Sequence, residues 1–283
     1  MKKILVTTDL SANSKAGIRL ALQIQKQTGC SLVFYHAIEI MKPTSWNDKR
    51  YKLFAEEKNA EFVSRLIGFV QDLTAAAGRP AGTISYKTEI GTRVAEMTIA
   101  CAKAVKADLI CLGTRGGGKM EKLLGSVASS LLVSSPFPVI VVPARYRAEQ
   151  VNHLYYASDL EGFAGELKQV QSFASRLSAR ITVLHYDYQL MDRSKVTSLE
   201  ARYARYEKAG VQFSFRKRDS DAALSDCIRA DIKKEKPSML VLFTKLNKSW
   251  FRRLFTPSRT RQLALHPTLP LLVFRKKGSS ADK

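Results

Sequence analysis

The chain has 283 residues and carries 46 Lys and Arg against 25 Asp and Glu, a formal net charge of +21. That length is about twice a common domain, and the 45% apolar content suits a globular protein rather than a disordered one. These figures exclude a disulfide miniprotein, a collagen-like chain, a single small domain and an acidic tail protein.

In chain order, short apolar runs alternate with helical periodicity. Runs at 4–8, 32–38, 83–90, 109–112 and 139–142 predict five strands. Several are unbroken rather than alternating, the pattern of strands covered on both faces. The first helix is predicted at 14–28, with Asn13 or Ser14 as N-cap and Gly29 as its stop. The second, at 51–77, places Phe62, Leu66, Phe69, Leu73 and Ala77 on one stripe and ends at Gly78, with Pro80 beyond. Shorter helices follow at 94–105 and 126–134. After a polar joint at 144–151 the same order returns with weaker signals. Strands are predicted at 154–157, 181–186, 211–215, 239–243 and 271–274, and helices at 164–177, 195–208, 222–234 and 258–265. Residues 278–283 read as a disordered tail.

The chain therefore repeats once. The run from Lys3 to Asp9-Leu10 resembles His153 to Asp159-Leu160, offset by 150 residues. His36 and His185 are offset by 149, and Pro138 and Pro270 by 132. Alternating strands and helices imply βαβ units with right-handed crossovers. The expected architecture is α/β: two doubly wound, Rossmann-like parallel five-stranded sheets in tandem, at 1–147 and 148–277.

No apolar run approaches the ~20 residues of a spanning helix, and the N-terminus turns polar at Thr7, too early for a secretory signal. Cys30, Cys101, Cys111 and Cys227 form no CxxC pair, so buried free thiols in the cytoplasm are expected. The charge divides almost evenly, +10 over 1–147 and +11 over 148–283. One stretch is distinctive: from Glu235 to Asp282 no acid interrupts Lys236, Lys245, Lys248, Arg252, Arg253, Arg259, Arg261, Arg275, Lys276 and Lys277. If the charge has a specific anionic partner, it is expected there.

Ligands of such sheets bind outside the carboxyl ends of the strands, where the strand order reverses. Asp9, Ala37 and the loop Gly113-Thr114-Arg115-Gly116-Gly117-Gly118 all follow strands, and Gly125-Ser126 opens a helix. Glycines let a backbone approach an anion closely, a helix N-terminus offers free N–H groups, and Arg115 and Lys119 add charge. A flexible connecting loop would have the same composition. The loop is neither a Walker A motif nor a GxGxxG fingerprint.

These residues, with the closing run Pro136-Phe-Pro138-Val-Ile-Val-Val, resemble the universal stress protein family, once per half, as in its tandem members. The resemblance implies the adenine-nucleotide α-hydrolase-like fold. It implies phosphate and ribose contacts at Gly113, Thr114, Arg115, Gly116, Gly125, Ser126 and Val127, with Thr8, Asp9 and Ala37 flanking ribose and adenine. The implied ligand is ATP or another adenine nucleotide, with Mg2+ arriving on its phosphates. Family members also often pair through the last strand, so a homodimer or an internal pseudo-dimer is implied. One departure stands out: eight residues, not nine, separate Gly116 from Gly125. In the second half, residues 243–258 lack glycine, and Phe243, Leu246, Trp250 and Pro257 oppose a phosphate even though Asp159 and Ser258 remain.

Other constellations carry less. His36 and His185 read as structural histidines in a sheet, and His153 and His266 stand alone. No metal-ligand spacing occurs. Tyr203 and Tyr206, three apart, read as a core or interface stripe rather than a nucleic-acid platform. Three functions follow as expectations. The first is a cytoplasmic nucleotide-binding stress or signalling protein with one site, at most a slow ATP hydrolase. The second is an interaction protein with a decayed site and an unnamed protein partner. The third, resting on charge alone, is a nucleic-acid binder.

Overall fold

Strand β1 (Lys3–Thr7) opens the chain, with Ile4, Leu5 and Val6 fully buried. The computed structural model describes residues 1–114, 125–187, 193–217, 224–244 and 268–276. A 3-10 turn at Ala12–Ser14 leads from β1 into helix α1 (Lys15–Thr28). Ser14 stands at the N-cap position, but its hydroxyl bonds Ser11 O at 2.8 Å and Thr8 Oγ1 at 2.7 Å instead of a helix amide. At the other end Gly29 adopts φ 67° and donates to Gln25 O, as a left-handed helix stop requires. Ile18, Leu20, Ala21 and Ile24 of α1 are all fully buried. Each large aliphatic side chain so placed contributes on the order of 1.5–3 kcal/mol.

Strand β2 (Ser31–Glu39) follows, then the long helix α2 (Asp48–Ala77). Helix α2 begins three residues earlier than its periodicity predicts, because Asn47 Oδ1 accepts the Arg50 amide at 2.8 Å. Only Leu66, Val70 and Leu73 of α2 are buried, so its N-terminal half lies against the surface. Strand β3 (Ile84–Gly91), helix α3 (Val94–Ala104), strand β4 (Leu109–Gly113), helix α4 (Ser126–Ser134) and strand β5 (Val139–Val142) complete the first half.

The chain divides into two compact units, Met1–Gln150 and Val151–Lys283. In unit 1 every strand pairing is parallel and the order is β3-β2-β1-β4-β5. The order reverses between β1 and β4, where Ile4 pairs with Leu109. Edge strand β3 alternates half-buried and exposed positions, whereas β1, β4 and β5 are continuous apolar strands.

Unit 2 contains strand β6 (His153–Ala157), helix α5 (Phe163–Leu177), strand β7 (Arg180–Asp187) and helix α6 (Arg193–Glu207). Strand β8 (Val211–Lys217), helix α7 (Leu224–Glu235), strand β9 (Met239–Thr244) and strand β10 (Leu271–Arg275) follow. Its strands are again parallel, ordered β8-β7-β6-β9-β10, the same winding as in unit 1. The helix predicted at 258–265, His266 and the tail at 278–283 lie outside the described residues. Tyr203 is buried and stacks on Phe213 at 5.3 Å, so it belongs to the core, while Tyr206 is half-buried beside Phe163. Cys30, Cys101 and Cys111 are buried free thiols and Cys227 is half-buried. Burial pushes the Cys101 thiol up to about 11 and that of Cys111 to about 12, which makes both poor nucleophiles.

Candidate functional site

The carboxyl end of β1 is built by two tight side-chain turns. Thr8 Oγ1 accepts the Leu10 amide at 3.0 Å, and Asp9 Oδ1 accepts the Ser11 amide at 3.1 Å. Between them Leu10 is held at φ 60°, a left-handed conformation that costs a non-glycine residue about 1–2 kcal/mol. His36 on β2 bonds Thr8 O through Nδ1 at 2.8 Å and so ties the two strand ends together. Burial lowers its pKa, which keeps the ring neutral, in the structural role its sequence context predicts.

These turns line one wall of a recess of about 660 Å3, counting the part open to solvent. Thr8, Asp9, Ala37, Gly113, Thr114, Gly125, Ser126 and Val127 all line it. Arg115 and Gly116 lie outside the described residues, as do Gly117, Gly118 and Lys119. The floor is the end of β4, where Gly113 meets α1. A Cβ on Gly17 would lie 2.7 Å from the Gly113 amide, and a Cβ on Gly113 would lie 2.8 Å from Asn13 O. Two glycines therefore let the helix approach the strand end directly. The far wall is the start of α4. Gly125 occupies its N-cap without a side-chain cap, and α-helical geometry gives the amides of Ser126, Val127 and Ala128 no partner within the helix. Such a terminus suits an anion.

Sequence reasoning missed Ser11, Ser14, Tyr35 and Thr98, which also line the recess. Tyr35 donates to Glu89 Oε2 at 2.9 Å, and burial together with that carboxylate raises its pKa, so it stays a neutral donor. Ser11 Oγ is shielded from solvent and has no hydrogen-bond partner. The hydroxyl pattern Thr8, Ser11, Ser14 was visible as a signal, since every third residue bears one.

Unit 2 repeats the turns and alters the recess. Ser158 Oγ accepts the Leu160 amide at 3.0 Å, Asp159 Oδ1 accepts the Glu161 amide at 3.0 Å, and Leu160 has φ 65°. His185 Nδ1 meets Ser158 O at 3.0 Å. Because Ile4 pairs with Leu109 and Leu154 with Met239, Gly113 corresponds to Phe243. Phe243 stacks on Phe274 at 5.1 Å and packs edge-on against Tyr156 at 5.5 Å. Lys276, at the end of β10, reaches both Asp159 carboxylate oxygens at 2.8 Å and Glu166 Oε1 at 3.2 Å. Tyr156 donates to the other Glu166 oxygen, and burial raises the Glu166 pKa. Lys276 is thus neutralised within its own unit. The rest of that basic stretch at 245–267, and Lys277, lies outside the described residues, together with Leu246, Trp250, Pro257 and Ser258.

Among the described residues no group of three or more His, Cys, Asp or Glu side chains could hold a metal ion. Nor is any helix among them long and apolar enough to cross a membrane.

The fold and recess define a doubly wound α/β protein whose first unit opens a cleft at its switch point. The sequence model of the universal stress protein family matches residues 1–143 of the 283, and the chain belongs to that family. A Staphylococcus saprophyticus protein named as a universal stress protein candidate is 27% identical over 142 residues, 50% of this chain and 83% of its own length. A universal stress protein structure from Archaeoglobus fulgidus aligns over 96% of this chain and 98% of its own, with a TM-score of 0.70 at 18% identity. A protein of unknown function from Pseudomonas aeruginosa aligns over 97% and 92% respectively, with a TM-score of 0.59 at 16% identity. At these identities the two structures share the fold with this chain.

Proposed function

We propose that the protein is a cytoplasmic, nucleotide-binding stress or signalling protein, built as two universal-stress-like units in tandem, with one competent site in unit 1. The ligand is an adenine nucleotide, ATP first among them. One observation carries this reading: two strand ends, the close Gly17–Gly113 seam and the uncapped start of α4 converge on a single recess. Phosphates would meet the amides at Ser126 and Val127, where the helix dipole favours negative charge. Magnesium would arrive with the phosphates and keep most of its waters. Among the described residues Asp9 is the one carboxylate lining the recess, and no nucleophile–base pair accompanies it there, so a binding role fits better than an enzymatic one. In unit 2, Phe243 and Lys276 fill the corresponding place, which supports a single site per chain.

Titration calorimetry with MgATP tests this. The wild type should bind one nucleotide, and Ser126→Asp should bind at least about tenfold more weakly. An acid in the first turn helps the helix by about 0.3–1 kcal/mol while repelling phosphate, so folding and binding separate. Absence of heat from the wild type at millimolar MgATP would overturn the reading. The second reading, an interaction protein with a decayed site, rests on the eight residues between Gly116 and Gly125. Nucleotide released from the purified protein on denaturation, identified by mass spectrometry, would sink it.

A further inference from the structure

The first turns of α2 are built unlike the rest of it. Helix α2 has 30 residues, whereas α6, which follows the second strand of unit 2, has 15. The buried residues of α2 begin at Leu66, so its first turns cover no core. They carry cations instead. Lys49 and Arg50 stand in the first turn and Lys52 follows, at the end of a helix where the dipole disfavours positive charge. Among the described residues Lys49 and Lys52 have no ion-pair partner. From Met41 to Phe54 the sequence has four cations, Lys42 included, and one acid, Asp48. Local rules broken without a gain in packing point to a functional surface.

The preceding segment is folded onto these turns. Tyr51 Oη donates to Ile40 O at 3.1 Å, and Lys42 pairs with Asp48. The Trp46 amide donates to Pro43 O at 3.0 Å. The Trp46 ring meets Phe54 edge-on at 5.2 Å, and the Arg50 guanidinium lies over it at 4.6 Å. Residues 40–54 thus form one compact knob after the carboxyl end of β2. From it project Met41, 78% exposed, and Leu53, 60% exposed, the two most exposed large apolar side chains among the described residues. Trp46 between them is half-buried.

We propose that this knob docks unit 1 on an anionic lipid surface, with Met41, Trp46 and Leu53 entering the headgroup layer and Lys49, Arg50 and Lys52 facing lipid phosphates. The mixture of cations with protruding apolar and indole side chains is what a membrane interface selects, lying on the bilayer rather than crossing it. A lipid surface takes up such groups one at a time. A stable protein partner instead needs a matched area of about 800 Å2 on each side. The net charge of +21 adds long-range attraction to an anionic leaflet. The proposal does not rest on the nucleotide reading of the recess.

Co-sedimentation of the full chain with vesicles tests it, using equimolar phosphatidylglycerol and phosphatidylcholine against phosphatidylcholine alone. Wild type should bind the anionic vesicles at least about 20-fold more tightly than the neutral ones. Lys49→Glu with Lys52→Glu should weaken that binding about 20-fold, at about fivefold for each cation near the surface. Met41→Ser with Leu53→Ser should weaken it about tenfold through lost apolar insertion. All four side chains are exposed, so both double variants should keep the wild-type melting temperature. In a Trp250→Phe background Trp46 is the sole tryptophan, and its emission should shift to the blue on anionic vesicles alone. Absence of vesicle binding, an unshifted Trp46 emission, or double variants that bind as wild type does would each overturn the proposal. So would weakened binding of a single-stranded oligonucleotide by the same variants with vesicle binding unchanged, which would assign the knob to nucleic acid.

Discussion

At the scale of single residues, the recess depends on atoms that are missing. Gly17 faces the backbone of Leu112 and Gly113, and an added Cβ would lie 2.7 and 2.9 Å from main-chain atoms that cannot rotate away. Gly17→Ala must therefore push α1 off β4. We expect a loss of about 1–3 kcal/mol, the range for overpacking, visible as a lower urea midpoint, and a loss of MgATP binding because the floor of the recess moves. Gly68 is the control. It lies on the exposed side of α2 with nothing within 4 Å of a built Cβ. Gly68→Ala should gain about 0.5–1 kcal/mol, the difference in helix propensity, and raise the midpoint. Two identical substitutions of opposite sign would separate steric contact from backbone entropy. Gly17 was not legible in the sequence, since a glycine one turn into an apolar helix looks like a weak propensity choice. Its reason lies 96 residues away, at Gly113.

At the scale of elements, the strands and most helix starts were readable, and the start of α2 was not. Unbroken apolar runs such as 109–112 and 139–142 sit where periodicity puts them, because a strand covered on both faces needs apolar residues throughout. Gly29 and Gly78 stop α1 and α2 with positive φ, as their positions indicate. The start of α2 is set by one side chain instead, Asn47, outside the apolar stripe that begins near Phe62. Asn47→Ala should cost about 1 kcal/mol at that end, the usual worth of an N-cap. Because the N-terminal half of α2 is little buried, the loss stays local. Amide exchange over the first helical turn, followed by NMR, should accelerate about fivefold while Tm moves little. Equal acceleration through Leu66 and Val70 would mean that α2 opens as one piece. The candidate site divides in the same way. Asp9, Ala37, Gly113 and Ser126 follow from strand ends and a helix start, but the Lys276–Asp159 pair joins residues 117 apart and needed the structure.

For the molecule as a whole, the two units carry the same winding with different demands, and this difference can be measured in one experiment. In unit 2, His153 Nδ1 faces the Arg180 guanidinium at 3.2 Å and Nε2 meets Thr182 Oγ1 at 2.9 Å. Since the guanidinium only donates, Nδ1 accepts and the ring is neutral. Burial first, and Arg180 second, lower the His153 pKa to about 4. The unfolded chain, with a value near 6.5, then binds a proton before the folded one, so the stability of unit 2 holds above about pH 6.5 and falls as pH drops toward 4. At pH 5 the loss from His153 is at most about 2 kcal/mol. His36 is lowered by burial as well, so unit 1 loses some stability in the same direction. On the proposed single-site reading, saturating ligand should act on unit 1 alone, adding about 2.7 kcal/mol at a hundredfold excess over Kd. Hydrogen exchange in graded urea, read by mass spectrometry on peptides covering β2 and β7, reports the units separately. MgATP at pH 7.5 should shift the β2 transition to higher urea and leave β7 in place. Acidification to pH 5 should lower the β7 transition, and His153→Gln should flatten that fall. A ligand shift of equal size in both peptides would contradict a single site in unit 1, and a β7 transition independent of pH would contradict the neutral His153.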